Sequence, residues 1–277
     1  MIKYRLHWSM HPHKDADWYA AQCARMSEDE VARELDINYT LSVSGRVFTA
    51  YQPQRHELAG ALPYNPQLPV WRIWDFGKTN AVLYGQLHPD GRRILLHERV
   101  LTDSGTVEQV RVAQEDSDQL FAQAAFHDVC DPAGTYAATR DIKPEVDYLH
   151  EHGIYPEYQY IVSLPTVGRK RRGLELVQNA LSQNVNDTPM LRVYTGGDGT
   201  IGGCPILQAA MAGGYCYKKD AAGNVTDRLD EKHPYEDVVD CLLYWFLESH
   251  RAAELADHHF EPVYSAGHWS TLVFDQD

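Results

Sequence analysis

The sequence lacks the features that would assign it to a membrane or secreted class. Across its 277 residues, no apolar run approaches the roughly 20 residues that a membrane-spanning helix needs. The N-terminus, MIKYRLHWSMHPHK, has no uninterrupted apolar segment of the kind found in signal peptides. The five cysteines form no CxxC pair and show no zinc-type spacing, which predicts reduced thiols. These absences predict a globular intracellular protein without a membrane segment.

Basic residues are also fewer than acidic residues. The chain has 25 Lys and Arg against 39 Asp and Glu, a net charge of −14, which argues against a nucleic-acid partner because phosphate binding needs clustered cations. The distribution is uneven: residues 168–172 read GRKRR, whereas residues 226–240 hold six acids against two Lys or Arg. An acidic cluster that binds divalent ions loses much of its charge, so the net value overstates the repulsion of DNA. The alternative is that both runs are solvated loop charges.

Composition along the chain predicts three parts. Residues 15–36 have helix-forming composition, with a possible capping box at Ser27 to Glu30 that would open a second short helix. Residues 51–70 contain four prolines and little periodicity, which predicts an extended connector. We therefore expect a helical lead-in and linker over residues 1–69, a main domain over 70–255 and a C-terminal tail over 256–277.

Hydrophobic patterning predicts an α/β main domain. Three strand-like runs at 71–76, 81–87 and 93–100 are joined by short turns, which indicates an antiparallel meander. A helix is predicted from Thr106, with a capping box to Gln109, and a strand at 126–130 follows it. Later elements are predicted as helices near 144–152 and 174–181, strands at 154–162 and 190–194, a hairpin turning at 222–224 and a closing helix from Glu236. This order predicts a mixed sheet with helices on its faces.

Three aspartates interrupt apolar runs of this domain. Asp75 lies in WRIWDFGKT, Asp131 in FHDVCDPAG and Asp237 in KHPYEDVVDCLLYWF. A carboxylate in such a place is costly unless a cation compensates it, and ligands of open α/β sheets bind at the carboxyl ends of strands. Converging carboxylates form an all-oxygen site that suits two Mg²⁺ or Mn²⁺ ions, which together support phosphodiester hydrolysis.

The motifs WDFG, CDPAG and HPYEDVVDCLLYW, in this order, resemble the nuclease domain of the large terminase subunit of tailed bacteriophages. That domain has the ribonuclease H-like fold. The segment DWYAAQCARMSEDEVARELDINYTLSVSGRVF is similar to the piece that joins the terminase ATPase motor to its nuclease. The resemblance therefore covers roughly residues 10–250.

The resemblance implies a metal-dependent endonuclease of viral DNA packaging that cleaves concatemeric double-stranded DNA. Its metal-binding carboxylates correspond to Asp75, Asp131 and, on the closing helix, Asp237, with Asp240 one turn later as the alternative third ligand. The basic run would contact the DNA backbone; its members are Arg169, Lys170, Arg171 and Arg172. The implied partners are the terminase small subunit and the portal protein, in the cytoplasm of the bacterial host. Weaker candidates for a role at the site or on DNA are Asp128, His233, Lys218 and Lys219.

One departure from the family is large. No GxxxxGK[ST] loop occurs in the sequence, and Lys78-Thr79 lacks the upstream glycine at the required spacing. We therefore expect no ATP hydrolysis from this chain, whether it is an excised domain or a separate nuclease polypeptide. Two alternatives stay open: another ribonuclease H-like nuclease of the junction resolvase or transposase type, and a non-catalytic docking module of the packaging motor.

Overall fold

A computed structural model describes residues 8–23, 35, 45–136, 143–165, 168–197 and 202–257. The start of the lead-in forms a short 3₁₀ helix (Trp8–Met10) and the helix α1 (Ala16–Cys23). The second lead-in helix predicted near Ser27 and the tail from residue 258 lie outside the described residues. None of the helices within the described ranges is both long and apolar enough to cross a bilayer.

A mixed sheet forms the centre of the described chain. Its six strands are β1 (Glu57–Ala59), β2 (Val70–Asp75), β3 (Thr79–Leu87), β4 (Arg93–Thr102), β5 (Phe126–Cys130) and β8 (Leu191–Gly196), in the spatial order β1-β8-β4-β3-β2-β5. The pairs β2·β3 and β3·β4 are antiparallel, which confirms the predicted meander. The pairs β2·β5, β4·β8 and β1·β8 are parallel, so the predicted mixed sheet is also confirmed.

Side-chain alternation along the strands divides the core between the two faces of the sheet. On β2, Trp71 and Ile73 pack on one face, and Val70 and Trp74 pack on the other. Both faces are covered by helices, so β2 is buried throughout and its apolar run shows little alternation of hydrophobicity. The first face is covered chiefly by α6 (Arg169–Ser182) and α8 (Tyr235–Asp257), and the second by α3 (Thr106–Leu120) and α4 (Glu145–Glu151).

The closing helix α8 is the largest single element on the first face. Its apolar stripe is buried there; the members are Val238, Val239, Leu242, Leu243 and Phe246. Trp245 also packs into this face and leaves no room for a side chain at residue 85 on β3, where an added Cβ would meet its ring at 2.6 Å. The axis of α8 is therefore held close against β2 and β3.

The start of α3 differs from the predicted capping box. Gly105 is the N-cap, and neither Thr106 nor Gln109 caps the helix with its side chain. The Thr106 hydroxyl instead donates to Glu145 of α4, and the Gln109 amide donates to the backbone oxygens of Asp75 and Ala81, at 3.0 Å each. Both side chains face the buried surface of the sheet, so they form hydrogen bonds with distant residues rather than with the backbone of their own helix.

Two other segments differ from their predictions. The run 154–162, predicted as a strand, contains the short helix α5 (Gln159–Ser163), and only an isolated bridge from Glu157 to Val129 extends the sheet there. Within the predicted connector 51–70, residues Pro53–His56 form the short helix α2, and β1 then pairs with β8 at the edge of the sheet. Burial of Tyr51 and pairing of β1 make this stretch part of the packed structure rather than a free linker.

The remaining elements lie around the sheet. A hairpin of β9 (Tyr217–Lys219) and β10 (Val225–Leu229) turns at the predicted residues 222–224, where Gly223 has a positive φ of 86°. Two short strands, β6 (Asn184–Val185) and β7 (Thr188–Pro189), pair with each other, and α7 (Pro205–Ala209) precedes a π-helical turn at Ala210–Gly214.

Candidate active site

Asp75 is the last residue of β2, and strand alternation decides which way it points. It follows Trp71 and Ile73 at a spacing of two, so its carboxyl lies on the α8 face of the sheet. The Gln109 amide, reaching from α3, binds the Asp75 backbone oxygen and fixes the end of the strand. Asp75 is 8% exposed, so its carboxylate is largely removed from water.

Asp131 follows the neighbouring parallel strand β5. Its N–H donates to the backbone oxygen of Trp74 at 2.9 Å, which places Asp131 beside Asp75 at the carboxyl ends of the two strands. The Asp131 carboxylate accepts from the Ala133 N–H at 3.0 Å and caps a short 3₁₀ helix, Pro132–Thr135. Gly134 packs so closely against Phe76 that an added Cβ would lie 2.4 Å from the ring, so glycine is required for this turn to approach the strand.

The closing helix supplies two more carboxylates. Asp237 lies in the first turn of α8, is 5% exposed, and has both carboxylate oxygens 2.9 to 3.0 Å from Nδ1 of His233. Asp240 lies nearly one turn later on the same side of the helix. The structure thus brings together all four predicted metal-binding carboxylates; metal binding itself remains a prediction.

Burial and mutual repulsion shape the electrostatics of this group. The pKa of Asp75 is raised well above its ordinary value, first by burial and then by the negative charges of Asp240, Asp131, Asp237 and Glu236, in that order. Burial raises the pKa of Asp131, against hydrogen bonds from Ala133 and Tyr244. Burial also raises the pKa of Asp240 to about 6, although a nearby lysine opposes it. The site therefore carries excess negative charge in a poorly solvated place.

This chemistry fits a divalent cation. The donors are carboxylate oxygens, which Mg²⁺ and Mn²⁺ prefer. The buried Oδ1 of Asp240 lies 3.1 Å from the Lys170 ammonium but accepts no well-aligned hydrogen bond from a described residue. No three His, Cys, Asp or Glu side chains within the described ranges already have the arrangement of a metal site. The carboxylates therefore lie near enough to one another to interact electrostatically, but the described side chains are not arranged around an ion.

Comparison with solved structures assigns the fold. The large terminase of a thermophilic bacteriophage, in complex with ADP, aligns with a TM-score of 0.52 over 84% of this chain and 51% of that protein, at 12% identity. The nuclease domain of the P22 large terminase aligns with a TM-score of 0.52 over 76% of this chain and 95% of that domain, at 11% identity. The chain has the fold of a large terminase nuclease domain. It spans about half the length of the terminase from the thermophilic phage.

The terminase-nuclease fold is evident from structure and not from overall sequence. No family model matches the chain. No curated protein matches it either. The ribonuclease H-like fold expected from the three short motifs is therefore confirmed by the structural comparison, in which identity is only 11% to 12%.

The basic run of this terminase-like domain differs from the expected loop, because it forms the first turn of α6. Arg169 donates to the backbone oxygen of Leu164 at 2.9 Å, and its charge offsets a small part of the rise that burial causes in the pKa of Asp131. Lys170 makes ion pairs with acids of α8. The exposed Arg171 pairs with Glu175 one turn on. Contact of these residues with DNA remains a prediction.

Tyr244 is a site residue that the sequence analysis missed. It lies on α8 one turn after Asp240, and its hydroxyl hydrogen-bonds to Asp131, which follows β5. Its pKa is raised by burial and then by the charges of Asp131, Asp240 and Asp75, so the hydroxyl stays protonated and able to donate. The spacing of residues 237, 240 and 244 on one helix face points to it, but an aromatic side chain on an apolar helix is more often a core residue.

Asp128 is separate from the site, contrary to its suggested supporting role. It lies three residues before Asp131 and therefore points to the opposite face of the sheet. There it accepts hydrogen bonds from Nε and Nη2 of Arg72, both at 2.8 Å, and from Nε1 of Trp74 at 2.8 Å. Asp128 thus belongs to a buried structural ion pair.

The raised pKa of Asp75 makes the metal-free stability depend on pH. The folded protein holds a proton on this carboxyl more tightly than the unfolded chain, so the corresponding stabilisation is present at low pH and is lost as pH rises through the folded pKa. We expect Asp75→Asn to be more stable than the wild type in EDTA, by a margin that grows as pH rises above the range in which an ordinary aspartate titrates. Thermal unfolding at a series of pH values measures it.

The exposed variant Asp103→Asn is a matched control, because Asp103 has a side chain 70% exposed and a φ of 54° that asparagine also accepts. The unfolding temperature of Asp103→Asn should equal that of the wild type at every pH. An Asp75→Asn protein that loses stability relative to the wild type as pH rises would contradict the assignment of Asp75 as an uncompensated buried acid.

Proposed function

We propose that this chain is a metal-dependent endonuclease of viral genome packaging that hydrolyses phosphodiester bonds of concatemeric double-stranded DNA. The observation that supports this most strongly is the convergence of Asp75, Asp131, Asp237 and Asp240 from two parallel strands and one helix. A structural group of buried acids would be paired with cations, whereas Asp75 has more acids than bases around it. The terminase-nuclease fold is consistent with the same activity.

Each residue has a distinct task in this proposal. Asp75 and Asp131 would hold metal from rigid strand ends, and Asp237 or Asp240 would complete the site from α8. Two bound divalent ions would supply an activated water and charge neutralisation at the scissile phosphate. Tyr244 would keep the Asp131 carboxylate in position through its hydrogen bond. His233 would orient Asp237 in the same way.

DNA and other packaging subunits would be the partners of this chain. Arg169, beside Asp131 at the start of α6, is the basic residue best placed to meet a phosphate near the site. The exposed Arg171 and Arg172 would contact the backbone farther away. The small subunit and the portal protein would bring DNA to the site, and they would compensate for the acidic surface, which favours weak and salt-sensitive DNA binding. The reaction would take place in the cytoplasm of the bacterial host.

Nicking of supercoiled plasmid by the purified chain tests this function. We expect conversion to open-circular and linear DNA with Mn²⁺ or Mg²⁺, none with EDTA, and no requirement for ATP. The acidic surface predicts that cutting falls steeply as salt is raised. Cutting that persists undiminished in EDTA would rule out the proposed chemistry.

Parallel substrates separate this function from its alternatives. Linear duplex and four-way junctions should be cut at similar rates by a packaging nuclease, whereas a strong preference for the junction would indicate a resolvase. A chain that neither binds Mn²⁺ nor nicks DNA but binds a portal protein would instead be a docking module.

A further inference from the structure

Lys170 places a positive charge inside the acidic group on α8. It is the second residue of α6. Its Nζ lies 3.1 Å from Oδ1 of Asp240 and 3.1 Å from Oε1 of Glu236. A third carboxylate, that of Glu231, is 3.5 Å away. One ammonium group is thus surrounded by three carboxylates.

The packing of α6 against α8 holds the lysine there. Gly173 lies one turn after Lys170 on α6, and a Cβ added to it would be 3.0 Å from Cβ of Leu243 on α8. This close approach leaves the Lys170 side chain 31% exposed and directs it along the surface of α8. Its position is therefore built into the helix pair, unlike that of Arg171, whose side chain is 83% exposed.

Asp240 is shared between this lysine and the carboxylates proposed to bind metal. Of the acids around Asp75, Asp240 exerts the largest electrostatic effect. The same carboxylate also contacts Lys170: its Oδ2 accepts a hydrogen bond at 3.3 Å, and its Oδ1 lies 3.1 Å from the ammonium. A divalent ion that approached Asp240 would meet the positive charge of Lys170 at close range.

We propose that Lys170 is an internal cation that competes with a divalent ion for Asp240. It is a positioning residue: it holds Asp240 and Glu236 to α6 and neutralises part of the acidic group before metal binds. The inference rests on the proposed function only in taking the Asp75 group as the metal site. It assigns Asp237 as the ligand from α8 for the tightly bound ion, and it makes binding on the Asp240 side weaker.

Calorimetric titration of the full chain with MnCl₂ tests this role without measuring activity. Lys170→Met removes the charge and keeps the length of the side chain. We expect it to bind Mn²⁺ at least about tenfold more tightly than the wild type, or to gain a second measurable ion, because a fixed charge within a few Å of a divalent ion repels it even through water. Lys170→Arg, which retains the charge, should keep the wild-type isotherm.

Arg171→Met is the matched control, since it removes a neighbouring positive charge that pairs with Glu175 and does not contact the acids of α8. It should leave Mn²⁺ binding at the wild-type level. Circular dichroism confirms folding, and Lys170→Gln, which still donates hydrogen bonds to the carboxylates, replaces Lys170→Met if the latter does not fold.

Unchanged or weaker Mn²⁺ binding by the charge-removing variants would overturn the role of Lys170, as would the absence of binding by every variant. The proposed endonuclease is judged separately by plasmid nicking of the wild type. If the wild type nicks DNA while Lys170→Met binds Mn²⁺ with the wild-type affinity, only the role proposed for Lys170 is refuted. If the wild type does not nick DNA while Lys170→Met binds Mn²⁺ more tightly, only the proposed endonuclease function is refuted.

Discussion

Asp131→Asn is expected to abolish metal-dependent nicking of plasmid DNA while the protein stays folded. The substitution removes the charge of a proposed metal ligand that follows β5 on the α8 face. It leaves a side chain of the same shape, whose amide oxygen can still accept from the Ala133 N–H. We expect at least about a hundredfold loss of rate, the size typical when one electrostatic stabiliser of a transition state is removed. Gel quantification of open-circular product over time gives the rate.

Stability should move little or even rise in this variant, because burial raises the pKa of Asp131 and the neutral amide avoids that desolvation. A calorimetric titration should show weaker Mn²⁺ binding in parallel with lost cutting. Nicking at the wild-type rate by a folded Asp131→Asn protein would refute the assignment of this carboxylate to the reaction.

Asp128→Asn, three residues away, is expected to lower the stability of the protein without removing its activity. It breaks the bidentate pair with Arg72, whose side chain is 9% exposed, and leaves a buried guanidinium without a negative partner. The cost of such a change is about 3 to 5 kcal/mol. For a domain of this size we expect a fall in melting temperature of roughly 10 °C. Differential scanning calorimetry in EDTA checks it.

The two asparagine variants form a matched pair, since both remove one negative charge near the end of β5. Below its melting temperature, Asp128→Asn should retain Mn²⁺ binding and nicking, because Asp128 lies on the opposite face of the sheet from the site. A stable Asp128→Asn protein would mean that Arg72 is satisfied without Asp128, for example by the Ser117 hydroxyl that also contacts it at 3.3 Å.

Where the sequence analysis succeeded, local patterns and packing favoured the same structure. The meander could be predicted because β2, β3 and β4 are apolar runs separated by short turns. The hairpin at residue 223 could be predicted because its glycine lies where φ is positive. The two strand-end aspartates could be recognised for a related reason: a carboxylate at the end of a buried run is costly unless a cation compensates it.

Where it failed, distant partners overrode local signals. Thr106 and Gln109 have the residue types of a capping box, yet both are used by tertiary contacts to Glu145 and to the end of β2. The basic run of residues 169–172 has the composition of a solvated loop, yet it opens α6 because Gly173 allows that helix to pack against Leu243. Neither contact is visible from sequence spacing.

The sequence by itself determined the class of fold and the identity of the carboxylates, because strand and helix periods and charges in apolar runs are local properties of the chain. Only the tertiary structure decided where those carboxylates lie and which side chains surround them. It paired Asp128 with Arg72, brought Tyr244 beside Asp131, and placed Lys170 against Asp240. These relations depend on how strands and helices from distant parts of the chain pack together.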